Sequence, residues 1–174
     1  MKKIALLYWG KGGNVEHAAQ VIYKLLGPET TDLFDVESFD INNLKNYELL
    51  IFGGSTVGAE NWQDASNDNK WNKFFREIEK QDLSGIKVAA FGLGNQILYP
   101  EHFVDGLGIF KAEMDKTNAK IIGKWPIDGY KFTNSEGMHN GLFYGLALDE
   151  DNEPELTEER AKKWLERIKK EMAG

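Results

Sequence analysis

Two short runs, Leu49-Leu50-Ile51-Phe52 and Val88-Ala89-Ala90-Phe91, contain no polar residue at all. A strand with one face in water alternates apolar and polar residues. An uninterrupted run this short reads instead as a strand covered on both faces, which is the habit of a parallel sheet sandwiched between helices. The intervening stretches carry the helical period. Val15, Ala18, Ala19, Ile22, Leu25 and Leu26 form one stripe, and Trp71, Phe74, Phe75 and Ile78 form another at i, i+3, i+4, i+7. Strands alternating with helices predict a βαβ series wound into a doubly wound α/β sheet.

The expected strands cover residues 4–8, 31–35, 49–53, 88–92 and 120–124, with a further extended piece at 142–148. A first helix is expected over 15–26, capped by Asn14 and stopped by Gly27-Pro28. A second follows Asp68. A third is expected over 102–114, with Pro100 opening it. The last begins after Thr157, with Glu158 and Glu159 in its first turn and Lys169-Lys170 near its end, charges that complement the helix dipole.

With 174 residues and 41% hydrophobic content, the chain suits a single domain over 1–174. No apolar run approaches the roughly 20 residues of a membrane span. Met1-Lys2-Lys3 leads into a short strand without the apolar stretch and cleavage site of a signal peptide, so no leader is expected. Cysteine is absent, which excludes disulfides, thiol catalysis and thiolate-held metal, and a cytoplasmic location is expected. Twenty-one basic residues against 28 acidic ones give a net charge of −7. That balance disfavours nucleic acid as a partner and suits an acidic face for basic partners.

In doubly wound sheets, ligands sit beyond the carboxyl ends of the strands. Three loops lie there. The first, Trp9-Gly10-Lys11-Gly12-Gly13-Asn14-Val15, joins a strand to a helix through three glycines. Glycines let backbone N–H groups turn toward an anion, and a helix start adds its positive end. The loop matches neither the Walker spacing nor the dinucleotide fingerprint. The second, beginning Gly53-Gly54-Ser55-Thr56-Val57-Gly58, runs long and polar to Asn69 and includes Trp62 as a possible stacking surface. The third, Gly92-Leu93-Gly94-Asn95-Gln96-Ile97-Leu98-Tyr99-Pro100, offers glycines for close approach and a flat ring. Together they would enclose a planar ligand carrying a phosphate, and flavin mononucleotide (FMN) fits that description.

These residues resemble those of the flavodoxin family, of the long-chain kind. The stretch 83–96 resembles the family's fourth strand and flavin loop. Trp125-Pro126-Ile127-Asp128-Gly129-Tyr130-Lys131-Phe132 resembles the insertion that marks long-chain members. Residues 145–152, with Leu156-Thr157, match the segment before the last helix. The resemblance implies a three-layer sandwich with a five-stranded parallel sheet in the order 2-1-3-4-5, its last strand interrupted by the insertion. It implies a non-covalently bound FMN cofactor and a low-potential electron carrier, not an enzyme, passing electrons between redox partner proteins with basic docking faces. It further implies a cytoplasmic monomer with no membrane or nucleic-acid partner. The implied cofactor contacts are Tyr99 on the outer ring face, Thr56 between ring and phosphate, and Gly58 where a carbonyl can turn toward the ring. Leu93, Gly94 and Asn95 lie at the ring's polar edge, with Ser55 in the second loop. His102, Asp105 and Asp151 fall at the periphery.

Two departures bear on affinity. Val57 stands where the family's inner-face tryptophan is found. Gly10, Gly12 and Val15 stand where the family has Ser or Thr, so the phosphate contacts are expected from backbone amides between Gly10 and Val15, with Lys11 or Trp9 nearby. Trp9 is expected to cover the pocket or fill part of it. A competing reading is a flavodoxin-fold protein with altered phosphate recognition that binds another planar cofactor or serves as a binding module. A third is an FMN-dependent reductase, for which no acid–base pair stands out. The three histidines suggest no metal site: His17 reads as exposed, His139 sits in a polar loop, and His102 has no evident partner.

Overall fold

The computed structural model describes residues 3–9, 13–55 and 70–174. Its strands β1 (Ile4–Tyr8), β2 (Thr31–Asp35), β3 (Leu49–Gly54) and β4 (Lys87–Leu93) are joined by helices, in particular α1 (Asn14–Leu26) and α2 (Lys70–Ile78). All four strands are parallel and lie in the order β2-β1-β3-β4. The apolar runs explain the layering. Leu50, Phe52, Val88 and Ala90 face a cluster that includes Trp71, Phe74 and Ile78 of α2. Their neighbours Leu49, Ile51, Ala89 and Phe91 face the opposite cluster, with Ala18, Ala19 and Ile22 of α1. A strand buried on both faces has no polar side to show, and β3 is buried at every position.

The fifth place in the sheet is divided. β4 pairs through Lys87 and Val88 with β5 (Lys120–Ile121). Through Phe91, Gly92 and Leu93 it pairs with a strand 25 residues further on (Leu146–Leu148). The expected strand over 120–124 is therefore shorter. Gly123, at φ 77°, turns the chain away, and its carbonyl accepts a 2.7 Å hydrogen bond from buried Trp164 Nε1. The chain then builds a small antiparallel sheet, β6 (Trp125–Pro126), β7 (Met138–His139) and β8 (Leu142–Phe143), before returning as β9 (Leu146–Leu148). The expected extended piece 142–148 is thus split between two sheets. The break falls at Gly145, where a Cβ would overlap the carbonyl oxygen of Ala90.

Helices α3 (Gly106–Asp115) and α4 (Thr157–Ala173) complete the chain, α3 on the α2 side and α4 beside α1. Here two expectations fail. Asn14 does not cap α1. It is the first helical residue, and Gly13 stands at the N-cap with no side-chain hydrogen bond. The helix expected over 102–114 starts only at Gly106. Val104 sits at φ 48°, a left-handed conformation that no right-handed helix can pass through and that a β-branched residue adopts only under constraint.

The insertion is fastened from inside. Phe103, Tyr130, Phe132 and Phe143 pack ring against ring, with centroids 5.3–5.8 Å apart. Tyr130 OH donates to Ala147 O at 2.6 Å and accepts from Trp125 Nε1 at 2.9 Å. Burial pushes its phenol up to about 12. Arg160 of α4 lies 4.2 Å over the Tyr130 ring and pairs with Glu153 at 2.7 Å.

The return of the insertion to β4 generates a stability prediction. Gly145→Ala should lower the unfolding free energy by about 1–3 kcal/mol, since overlap with Ala90 O forces backbone to move. A urea denaturation series should show a lower midpoint at unchanged slope.

Candidate functional site

The carboxyl ends of β1, β3 and β4 bring three segments to one edge. At the first, β1 ends in Tyr8 and is followed by Trp9, whose amide donates to Gly53 O at 3.2 Å. Tyr8 OH reaches Glu16 Oε1 at 3.4 Å, and burial, then the Glu16 and Asp35 charges, raise the phenol above its usual range, keeping it a donor. Trp9 is half-buried and packs against the cluster on the α2 side. Val15 is buried among the α1 contacts, so it presents its backbone and not its side chain to any ligand. The first amides of α1 are those a helix leaves without internal partners, and the N-cap residue, Gly13, has no side chain to bond them. Gly10, Lys11 and Gly12, and Thr56, Val57 and Gly58 of the second loop, lie outside the described residues. Ser55 is exposed at the end of β3.

The third segment carries most of the geometry. Ile97, Leu98 and Tyr99 are 57%, 70% and 63% exposed, large apolar side chains held out toward solvent. Adjacent large apolar side chains in water are uncommon on a folded surface and make this turn a candidate contact. Leu93 is buried in the sheet, and the Gly94 amide is spent on Leu148 O at 3.0 Å, which extends the β4–β9 pairing. The Asn95 side chain shapes the turn. Its Oδ1 accepts from Ile97 N at 3.1 Å and Leu98 N at 2.9 Å, and from Asn152 Nδ2 at 2.8 Å. Its Nδ2 donates to Asp151 Oδ2 at 3.3 Å. Asp151 Oδ1 in turn accepts from Asn14 Nδ2 at 3.4 Å. The expected peripheral residue Asp151 therefore links the start of α1 to the Tyr99 turn.

Beneath the turn sits a carboxylate that sequence reasoning passed over. Asp149 is fully buried and accepts from Gln96 N at 3.1 Å, Gln96 Nε2 at 3.0 Å and Asn152 N at 3.1 Å. Gln96, also buried, accepts the Lys131 amide in return. The one signal for this in the sequence is a charged residue directly after the apolar Leu146-Ala147-Leu148.

The insertion continues the stitching. Pro100 O accepts from Thr133 N at 2.8 Å and Asn134 N at 3.0 Å, and Ser135 Oγ donates to Phe103 O. Asp105, expected at the periphery, is buried: Oδ1 accepts from Glu136 N at 2.7 Å, and Oδ2 lies 2.9 Å from His102 Nδ1. His102 accordingly has the partner that the sequence did not reveal. His17 and His139 are exposed, as expected, and among the described residues no cluster could hold a metal ion.

Asp149→Ala strips the buried Gln96 groups of their acceptor, at about 1–3 kcal/mol for each group left unpaired. Hydrogen exchange should show the Gln96 amide losing protection while the amides of α4 keep theirs.

Comparison with known proteins places this edge in context. The flavodoxin family model matches residues 6–164. A flavodoxin of Synechocystis sp. is 38% identical over 170 residues, covering 97% of each chain. Flavodoxin 1 of Escherichia coli is 38% identical over 161 residues, covering 92% of this chain and 89% of its own. Among solved structures, a Fusobacterium nucleatum flavodoxin bound to flavin mononucleotide superimposes with a TM-score of 0.84 at 31% identity, covering 98% of this chain and 99% of its own. The order of the sheet, the interruption opposite β4 and these likenesses agree: the chain belongs to the flavodoxin family.

Proposed function

We propose that this chain is an FMN-binding electron carrier, one domain over 1–174, which shuttles electrons between redox proteins in the cytoplasm. The observation that carries this reading is the meeting, at one sheet edge, of a helix start with glycine at its N-cap and an exposed aromatic turn, linked through Asp151. The donor set fits the cofactor. Orphan amides at a helix start suit a phosphate, and the exposed Tyr99 ring beside Gly94 and Asn95 suits a planar heterocycle. Ser55, Thr56, Val57 and Gly58 would border the ring from the second loop. When bound, the flavin supplies one-electron chemistry; the chain's own residues bind and orient it.

Phosphate recognition in this reading rests on backbone. Val15 turns its side chain inward, and the loop from Trp9 to Asn14 offers no hydroxyl, so amides from Gly10 to Val15 do the work with Lys11 nearby. Two carboxylates adjoin the exposed Ile97, Leu98 and Tyr99: Glu101 follows the turn in sequence and Asp151 accepts from Asn95 Nδ2, and the chain carries −7 overall. Such a surface suits partners with an apolar centre and a basic border, approached by a monomer under electrostatic steering. No described helix is long and apolar enough to cross a membrane.

The purified protein should show flavin bands in its visible spectrum, and the apo form should bind FMN more tightly than riboflavin. No FMN binding at micromolar concentration would end this reading. Equal affinity for the two would show that the loop from Trp9 to Val15 does not read phosphate. Tyr99→Ala should raise the FMN dissociation constant about fivefold or more, as loss of an aromatic stack worth about 1 kcal/mol requires. Fluorescence titration measures it.

A further inference from the structure

Of the chain's asparagines, Asn140 alone is followed by glycine, the residue that shields its own amide nitrogen least. With Gly141 it forms the two-residue loop between β7 and β8, whose pairs are His139–Leu142 and Met138–Phe143. Both loop residues lie at positive φ, 50° and 75°, as a type I′ hairpin turn requires. The Asn140 side chain is exposed, and a Cβ at Gly141 would meet nothing within 4 Å. Among the described residues, neither the Asn140 carboxamide nor the Gly141 amide has a hydrogen-bond partner. An open amide nitrogen thus follows an open carboxamide at a hairpin tip. The two strands are two residues each, and so short a hairpin opens at small cost.

Asn134-Ser135 is the instructive contrast, since serine is also a small follower. There the groups are committed. Ser135 N donates to Asn134 Oδ1 at 2.9 Å, and Ser135 is buried. Its Oγ donates to Phe103 O and accepts from Gly137 N at 2.9 Å. The backbone after Asn134 is held from both sides, while that after Asn140 is free to move.

We propose that Asn140 is a spontaneous modification site, at which the chain converts to isoaspartate and the insertion loses the hairpin that ties it down. In the first step the deprotonated Gly141 nitrogen attacks Asn140 Cγ. The new N–Cγ bond closes an imide ring, the Cγ–Nδ2 bond breaks, and ammonia leaves with the amide proton. Water then opens the imide at either carbonyl. Opening at Cγ gives aspartate, and opening at the former backbone carbonyl gives isoaspartate. Nothing is oxidised or reduced.

The two products act differently on the turn. Aspartate before glycine suits the same hairpin. Isoaspartate carries the backbone through Cγ, and the added methylene cannot enter a two-residue loop without a loss of register. Several contacts depend on that register. Gly141 O accepts from Ile127 N at 3.3 Å, and Tyr144 N donates to Gly137 O at 2.9 Å. Phe143, fully buried in the aromatic cluster, pairs with Trp125 on one side and Met138 on the other. The damage therefore reaches the insertion whose amides brace the turn over 96–105.

The full chain, aged in mildly alkaline buffer at body temperature, should gain an acid at Asn140 while Asn134 stays an amide. Peptide mapping with electron-transfer fragmentation reads the position and separates isoaspartate from aspartate. Isoaspartate should be in excess, and the rate should rise in proportion to hydroxide. Hydrogen exchange of the aged protein should show the Ile127 and Tyr144 amides losing protection while those of α1 and β1 keep theirs. Asn140→Gly retains a sequence that suits the turn and has no carboxamide to close the imide, so it should keep that protection over the same interval. Freshly made Asn140→Asp carries the new charge on an unaltered backbone and should match fresh wild type. An Asn140 that stays an amide overturns the proposal. So does isoaspartate formed with Ile127 protection unchanged, an equal loss in aged Asn140→Gly, or a loss already present in fresh Asn140→Asp. The measurements need no flavin, so their outcome is independent of the electron-carrier reading.

Discussion

Strand β4 can offer only one free edge, and two strands claim it. β5 takes the amino end and β9 the carboxyl end. Everything distinctive about the candidate site descends from that division. The chain between the two must leave the sheet, close on itself and come back in register. In doing so it forms a small aromatic-cored lobe around Phe103, Tyr130 and Phe143. That lobe is the surface against which the 96–105 turn is laid. Its backbone amides at Lys131, Thr133, Asn134 and Glu136 each find an acceptor on the turn. A turn braced by these bonds against a packed neighbour can hold apolar side chains in water without collapsing over them.

The energetic weight of this assembly falls on buried polar groups. Asp149 and Gln96 are sealed from solvent, and neither would be tolerable alone in an apolar interior. Each is acceptable because the other, with Asn152 and the Lys131 amide, fills its hydrogen-bonding capacity. Apolar packing fixes the sheet without choosing the path of the loops that follow it. The satisfied polar cluster makes that choice, since an alternative path would strand a carboxylate.

What could be read from the sequence follows the same line. β1 to β4 and the helical stripes were legible because their cause is local: residues two or 3.6 apart share a face. Helix α4 was legible from its end charges and Thr157. The start of α3 was not, because Pro100 and the apolar pattern both favour a longer helix. It is overruled by bonds from residues some thirty positions later, such as Glu136 to Asp105. Asn14 looked like a cap by residue type, yet Gly13 takes that place and frees the amide side chain to reach Asp151. The pairing of His102 with Asp105 was equally hidden. An i, i+3 spacing suggests a helical contact, whereas the actual contact depends on a left-handed valine.

The order in which these parts occur along the chain has its own consequence. β1 and α1, which hold the helix-start half of the site, are made first. The partners that fix the Tyr99 turn come much later: Lys131 to Glu136, then Asp149 to Asn152, then Arg160 on the Tyr130 ring. During synthesis the turn therefore has no scaffold until almost the whole chain has been made. A half-made chain exposes the apolar turn without the lobe that holds it open. Completion of the site is a late event, coupled to docking of the final helix, and a cofactor that needs both halves would recognise only the finished protein.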